Sequence, residues 1–170
     1  MLYVRTWLCS ICAMACSLTL APAADQSQTL FIIERSKNAN VVHYDARLTA
    51  EGRLDPKQPV AVYWILLAEN GQREGLNLVE RKAYGFDIKP DAAGSAWVMT
   101  IAAYRKRTIT VRQTAGGVRA EIVIDGRPSV FEKMYINSTE GRVLPTVNYI
   151  ELFGKDLQTG AKTHEKLLPE

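Results

Sequence analysis

The stretch VRAEIVIDGRPSVFEKMYIN, residues 118–137, decides the fold of this 170-residue chain. Its Asp125-Gly126 pair stands between two apolar runs, and such a pair favours the type I′ turn that matches the twist of paired strands. Within 118–124, apolar residues alternate with mostly polar ones, which is typical of a strand with one buried face. The stretch therefore predicts an antiparallel hairpin of strands 118–125 and 127–137.

The same strand pattern recurs along most of the chain. Runs rich in Val, Ile, Tyr, Phe and Thr alternate with turn residues. They predict nine strands, at 30–36, 40–49, 59–68, 84–89, 96–104, 107–114, 118–125, 127–137 and 146–153. One short helix is predicted at 74–83, with an apolar stripe of Leu76, Val79 and Ala83 that is suited to cover the doubly apolar strand 59–68. The predicted fold is mainly β, an antiparallel barrel or sandwich of eight to nine strands with one short helix.

The first 23 residues have the features of a secretory signal peptide. Arg5 is the positive start, 7–20 is an apolar run too short to span a bilayer, and Ala21-Pro22-Ala23 is a small-residue cleavage signal. We expect cleavage near Ala23, a single β-rich domain at 24–170, and an exported product, periplasmic or extracellular. An alternative is a lipoprotein in which Cys16 is acylated and retained as a tether.

Composition excludes several classes of function for the expected mature chain. All three cysteines precede Ala23, so no disulfide framework, thiolate metal site or cysteine nucleophile would remain. Removing Arg5 lowers the 21 basic residues by one, against 18 acidic residues, so the mature chain is nearly neutral. Near-neutral charge and export argue against a nucleic-acid partner. We expect no transmembrane span in the mature chain, no cofactor and no metal site.

Four segments carry a resemblance to a known family. They are LFIIERSKNAN at 30–40, YDA at 44–46, PVAVYWI at 59–65 and AYGF at 83–86. Together they resemble a family of exported bacterial proteins described only as a domain of unknown function. The resemblance implies export and a single domain, and it assigns no catalytic residue.

The densest polar group lies on the predicted strand 40–49. His43, Asp45 and Arg47 alternate with apolar residues and therefore share one face. If 37–40 is the connecting loop, Glu34 lies opposite His43. A carboxylate beside an imidazole fixes the tautomer and raises the pKa, as a general base requires. Two interpretations remain open: the acid/base site of an envelope hydrolase or lyase, and a solvated hairpin face whose charges simply pair.

Two further groups are candidates for binding. Inward residues of a small barrel can enclose a ligand, although a close-packed core is the alternative. The candidates to line such a pocket are Trp64, Tyr84 and Trp97. A basic belt near a predicted turn is a candidate to bind anionic lipid headgroups or acidic polysaccharide, with a solvated turn as the alternative. The belt consists of Arg105, Lys106 and Arg107.

The sequence contains no Gly-x-Ser-x-Gly or Ser-x-x-Lys motif, which lowers the expectation of nucleophilic catalysis. We therefore expect a non-enzymatic exported domain that binds a small molecule or a cell-envelope component. The alternative is the envelope hydrolase or lyase that would use the polar cluster of the first hairpin.

Overall fold

The computed structural model describes residues 27–139, 141 and 145–169, in which eleven strands, one α-helix and one 3₁₀ turn occur. The predicted signal peptide, its cleavage site at Ala23 and Cys16 lie outside the described residues. Helix α1 spans Leu78–Tyr84, and the 3₁₀ turn spans Leu67–Glu69. The strands are β1 Ser27–Arg35, β2 Val41–Arg47, β3 Val60–Leu66, β4 Gln72–Gly75, β5 Phe86–Pro90, β6 Trp97–Ile101, β7 Tyr104–Thr114, β8 Gly117–Ile124, β9 Arg127–Thr139, β10 Thr146–Asp156 and β11 Lys162–Leu167.

The strands form one curled sheet, a half-barrel. Its order is β4-β3-β2-β1-β9-β8-β7-β6-β5, and β10 and β11 continue from the other edge of β9. One edge of β9 is divided between two neighbouring strands. β8 pairs antiparallel with the first residues of β9, and β1 pairs parallel with Lys133 to Ile136 of β9. The prediction of a mainly β fold with one short helix is confirmed, and the β1–β9 pair makes the sheet mixed rather than wholly antiparallel.

The predicted hairpin of β8 and β9 is confirmed. Asp125 and Gly126 both have positive φ, 49° and 73°. Type I′ turns require positive φ at both central residues, which Gly adopts freely and Asp tolerates. The backbone pairs Ile124 with Arg127 directly beside the turn.

The core of the half-barrel is centred on three aromatic rings in contact. Phe31 lies 4.4 Å from Tyr44 and 4.6 Å from Phe131 between ring centroids, and all three residues are almost completely buried. The Tyr44 hydroxyl donates a hydrogen bond to the Tyr84 carbonyl at 2.5 Å, which ties β2 to the end of α1.

The Gln28 side chain joins β1 to β8. Its amide group donates to the Val118 carbonyl and accepts from the Val118 amide.

The helix differs from its prediction in both extent and role. It begins at Leu78 rather than at residue 74, because Gln72–Gly75 pairs with β3 as β4. Asn77 caps it, accepting hydrogen bonds from the amides of Val79 and Glu80. The predicted helical stripe does not form, since Leu76 is buried but precedes the helix and Val79 is 69% exposed.

Strand β11 was not predicted by the hydrophobic pattern. Its sequence KTHEKL is largely polar, and Thr163 is its only buried residue. The strand forms because its backbone pairs with β10 from Ile150 to Lys155. A polar edge strand of this kind carries no periodic apolar signal.

Gly154 on β10 provides a test of its close packing against β8 and β9. A Cβ atom at this position would collide with the Val130 carbonyl oxygen and would come 2.9 Å from the Ile124 side chain. We expect Gly154→Ala to lower the free energy of unfolding by about 1–3 kcal/mol, as overpacking does. Gly75→Ala is the control, because no atom lies within 4 Å of its Cβ position. Urea unfolding of both variants gives the comparison, and equal stabilities would contradict the prediction.

Candidate functional site

The structure places His43, Asp45 and Arg47 on one face of β2, as predicted, while Val42, Tyr44 and Ala46 face the core. Asp45 is only 3% exposed. Its Oδ2 accepts a hydrogen bond from the Tyr63 hydroxyl at 2.5 Å and lies 3.6 Å from Nη2 of Arg73. The guanidinium of Arg73 also stacks over the Tyr63 ring at 3.7 Å. Asp45 therefore belongs mainly to a network with β3 and β4.

The predicted pairing of Glu34 with His43 is wrong. His43 lies opposite Ile32, two residues from the expected register. The reason is that β9 holds the end of β1, and the Ser36 amide donates to the Ile136 carbonyl instead of pairing with β2. Glu34 accepts a hydrogen bond from Lys133 on β9 at 3.0 Å. Arg47 also leaves the cluster, since its guanidinium donates to the Gln58 side chain.

The electrostatics of this polar face do not favour a general base. Burial lowers the pKa of His43, and the nearby Asp45 carboxylate opposes that effect only in part, while Arg73 adds to it. Burial and the hydrogen bond to Asp45 raise the pKa of Tyr63 to about 12. His43 Nδ1 lies 3.9 Å from Asp45 Oδ1, beyond hydrogen-bond distance. The carboxylate is thus engaged by Tyr63 and does not orient the imidazole.

A second region, the concave side of the half-barrel, contains a cavity of about 350 Å³. Its walls come from β1, β9, β10, the β6–β7 turn and the end of α1, and they are mostly apolar. The main apolar wall residues are Ile33, Ile101, Met134, Ile136 and Ile150. Two cations, Arg35 and Lys37, also line it. The cavity therefore joins an apolar interior to a basic rim.

Arg35 is held in this rim by aromatic rings and neutral acceptors. Its guanidinium carbon lies 4.3 Å from the centroid of the Trp64 ring and 5.7 Å from that of Tyr84. It donates to the Tyr84 hydroxyl at 3.4 Å and to Asn38 Oδ1 at 3.1 Å. Its Nε is buried and forms no hydrogen bond with any described residue. Within the described part of the chain, no carboxylate forms an ion pair with Arg35.

The predicted aromatic pocket is brought together only in part. Trp64 and Tyr84 meet edge to face with centroids 5.3 Å apart, beside Arg35. Of the three predicted residues, Tyr84 lines the cavity, whereas Trp64 and Trp97 do not. Trp97 lies on β6, opposite Val111. Sequence reasoning missed Arg35, because a single cation at the end of a strand carries no motif. Only its position in the segment 30–40, which resembles the family, could have drawn attention to it.

The predicted basic belt lies at the start of β7, just after the turn at Ala102 and Ala103. Arg105 forms an ion pair with Asp87 at 2.9 Å. Arg107 binds both oxygens of Glu165 on β11, at 2.5 and 2.6 Å. These partners offset much of the positive charge that the sequence suggests.

Other kinds of site find little support in the described residues. No group of three or more His, Cys, Asp or Glu side chains there is placed to hold a metal ion. His164 stacks on Phe153 and contacts Glu151 at 3.1 Å. None of the helices in this part of the chain is both long and apolar enough to cross a membrane.

The comparisons with known proteins give one match. The model of a family described as "Domain of unknown function (DUF4833)" matches residues 31–166. This range includes nearly all of the half-barrel, from β1 to β11. No curated protein and no solved structure matches the chain. The match assigns no activity, so function rests on the geometry of the two regions.

The lowered pKa of His43 predicts a pH dependence of stability. Its ordinary value is 6.5, so the unfolded chain binds the proton more tightly than the folded chain does. The contribution of His43 to the free energy of unfolding is therefore present above the ordinary pKa and is lost as pH falls through it toward the lower native value. We expect His43→Gln to lose less stability than wild type between about pH 7.5 and about pH 5.5. Urea unfolding at both pH values measures this, and identical pH dependence would contradict it.

Proposed function

The chain belongs to the DUF4833 family, and we propose that it is an exported, non-enzymatic binding domain whose cleft takes an apolar chain that bears one anionic group. The observation that carries the proposal is Arg35, a cation without a carboxylate partner among the described residues, at the rim of an apolar cavity. The family match covers residues 31–166 and says nothing about a ligand.

The cavity is suited to the apolar part of such a ligand. Its volume of about 350 Å³ lies within the usual range of small-molecule sites. Apolar side chains from β1, β9 and β10 would cover an alkyl chain, and each buried methylene contributes about 0.8 kcal/mol. Protein cores are otherwise close-packed, so a cavity of this size between apolar walls favours a binding role.

Arg35 is suited to the anionic part. A guanidinium binds carboxylate or phosphate through parallel hydrogen bonds, and such charge-assisted bonds are about twice as strong as neutral ones. Stacking on Trp64 and Tyr84 fixes the side chain in advance, which reduces the entropy lost on binding. Arg35 donates hydrogen bonds to two neutral side chains, those of Tyr84 and Asn38. Neither would compete by charge with an anionic ligand.

The proposed export of the protein supports the choice of ligand. We propose export on the basis of the signal-like N-terminal sequence, and cell envelopes are rich in acyl chains linked to carboxylate or phosphate. Binding is preferred to hydrolysis because the His43 imidazole is too far from Asp45 for a hydrogen bond. That face also lies on the opposite side of β2 from the core residue Tyr44.

Titration of tryptophan fluorescence tests the proposal with three probes of equal chain length: dodecanoate, dodecyl phosphate and dodecanol. We expect at least one anion to bind and to change the emission of Trp64, which contacts Arg35. Arg35→Gln should weaken anion binding by about tenfold or more, as the loss of charged hydrogen bonds does. The difference between the carboxylate and the phosphate identifies the preferred head group.

Two control variants complete this experiment. Arg127→Gln removes a partly exposed arginine at the β8–β9 turn, remote from the cavity lining, and should leave affinity unchanged. Trp64→Phe should remove the fluorescence response while calorimetry still detects binding. Equal affinity for dodecanol and both anions, or wild-type affinity in Arg35→Gln, would overturn the role of Arg35. Absence of binding by all three probes would overturn the proposed function.

A further inference from the structure

We infer that the cleft selects a long, single alkyl chain, whose head lies at Arg35 and whose tail crosses into a second cavity. This inference rests on the proposed function and specifies its ligand class. The second cavity has a volume of about 590 Å³ and adjoins the first. The two cavities share the side chains of Ala103, Tyr104, Val147 and Ile150, which we call the junction.

The order of the lining residues makes the cleft linear. Arg35 and Lys37 line the first cavity and not the second. Leu167, Leu168 and Pro169 line the second and not the first. A chain that begins at Arg35 must therefore pass the junction before it reaches the C-terminal residues.

The second cavity is suited to a tail rather than to a second head group. Three cations line it, Arg105, Lys106 and Arg107. The two arginines already pair with Asp87 and Glu165. By contrast, Arg35 has only neutral partners among the described residues. One end of the cleft thus offers a cation suited to an anion, whereas at the other end both arginines are paired with carboxylates.

The apolar side chains of the second cavity also favour the alkyl tail as its occupant. Leu168 is 72% exposed and Val147 is 37% exposed, although both line this cavity. Leu167 is partly buried and packs against the core. An alkyl tail in this cavity would remove apolar surface of Leu168 and Val147 from water, which stabilises the complex in proportion to the area covered.

A chain-length series tests this inference. Affinities of octanoate, dodecanoate and hexadecanoate are measured by calorimetry below their micelle-forming concentrations. Each methylene that becomes buried should tighten binding by about threefold to fourfold. We expect affinity to keep rising from dodecanoate to hexadecanoate, because the longer tail enters the second cavity.

Three variants locate the tail. Leu168→Gln should weaken hexadecanoate by about threefold or more and leave octanoate unchanged, because only the longer chain reaches the second cavity. Leu78→Gln is the matched control, since Leu78 is 80% exposed on α1 and lines neither cavity. Ala103→Trp places a bulky ring at the exposed turn of the junction, and it should remove the advantage of hexadecanoate over dodecanoate.

The outcomes separate the two proposals. Equal affinities for dodecanoate and hexadecanoate, or a length dependence that survives both Leu168→Gln and Ala103→Trp, would overturn the long-chain inference while the head-group site at Arg35 remained. Failure of every chain length to bind would overturn the proposed function and the inference together.

Discussion

The divided edge of β9 is the constraint on which this structure depends. Buried backbone groups must be hydrogen-bonded, and one edge of β9 meets this requirement with two strands, β8 at its start and β1 farther along. The Gln28 amide bonds to Val118 where β1 and β8 do not pair. Farther along β9, residues of β1, β9 and β10 line the cleft.

The aromatic core holds β1, β2 and β9 in fixed positions relative to one another. Phe31, Tyr44 and Phe131 pack together across β1, β2 and β9, and the Tyr44 hydroxyl donates a hydrogen bond to the Tyr84 carbonyl at the end of α1. Tyr84 in turn lines the cleft and contacts Arg35. The same packing that stabilises the core therefore positions the cation at the rim, which is how a rigid scaffold reduces the cost of binding.

The arginines of this chain show why residue type alone does not identify a binding site. Arg107 donates to both carboxylate oxygens of Glu165, so its positive charge is largely offset within the protein. Arg35 is held by rings and neutral oxygens, and no described carboxylate forms an ion pair with it. The polar face of β2 is a similar case, because Asp45 is engaged by Tyr63 and Arg73 rather than by the imidazole beside it.

Local sequence by itself determined the strands with clear alternation, the I′ hairpin at Asp125-Gly126 and the shared face of His43, Asp45 and Arg47, because each depends on neighbours in the chain. Only the tertiary structure decided the β1–β2 register, the parallel β1–β9 pair and the partners of Arg35. Side chains along a strand alternate between its two faces, so the sequence specifies the face of each residue. A shift of the pairing register by two residues leaves every side chain on the same face. Pairing between distant strands settles the register, and the same pairing decides which partners Arg35 and the other cations meet.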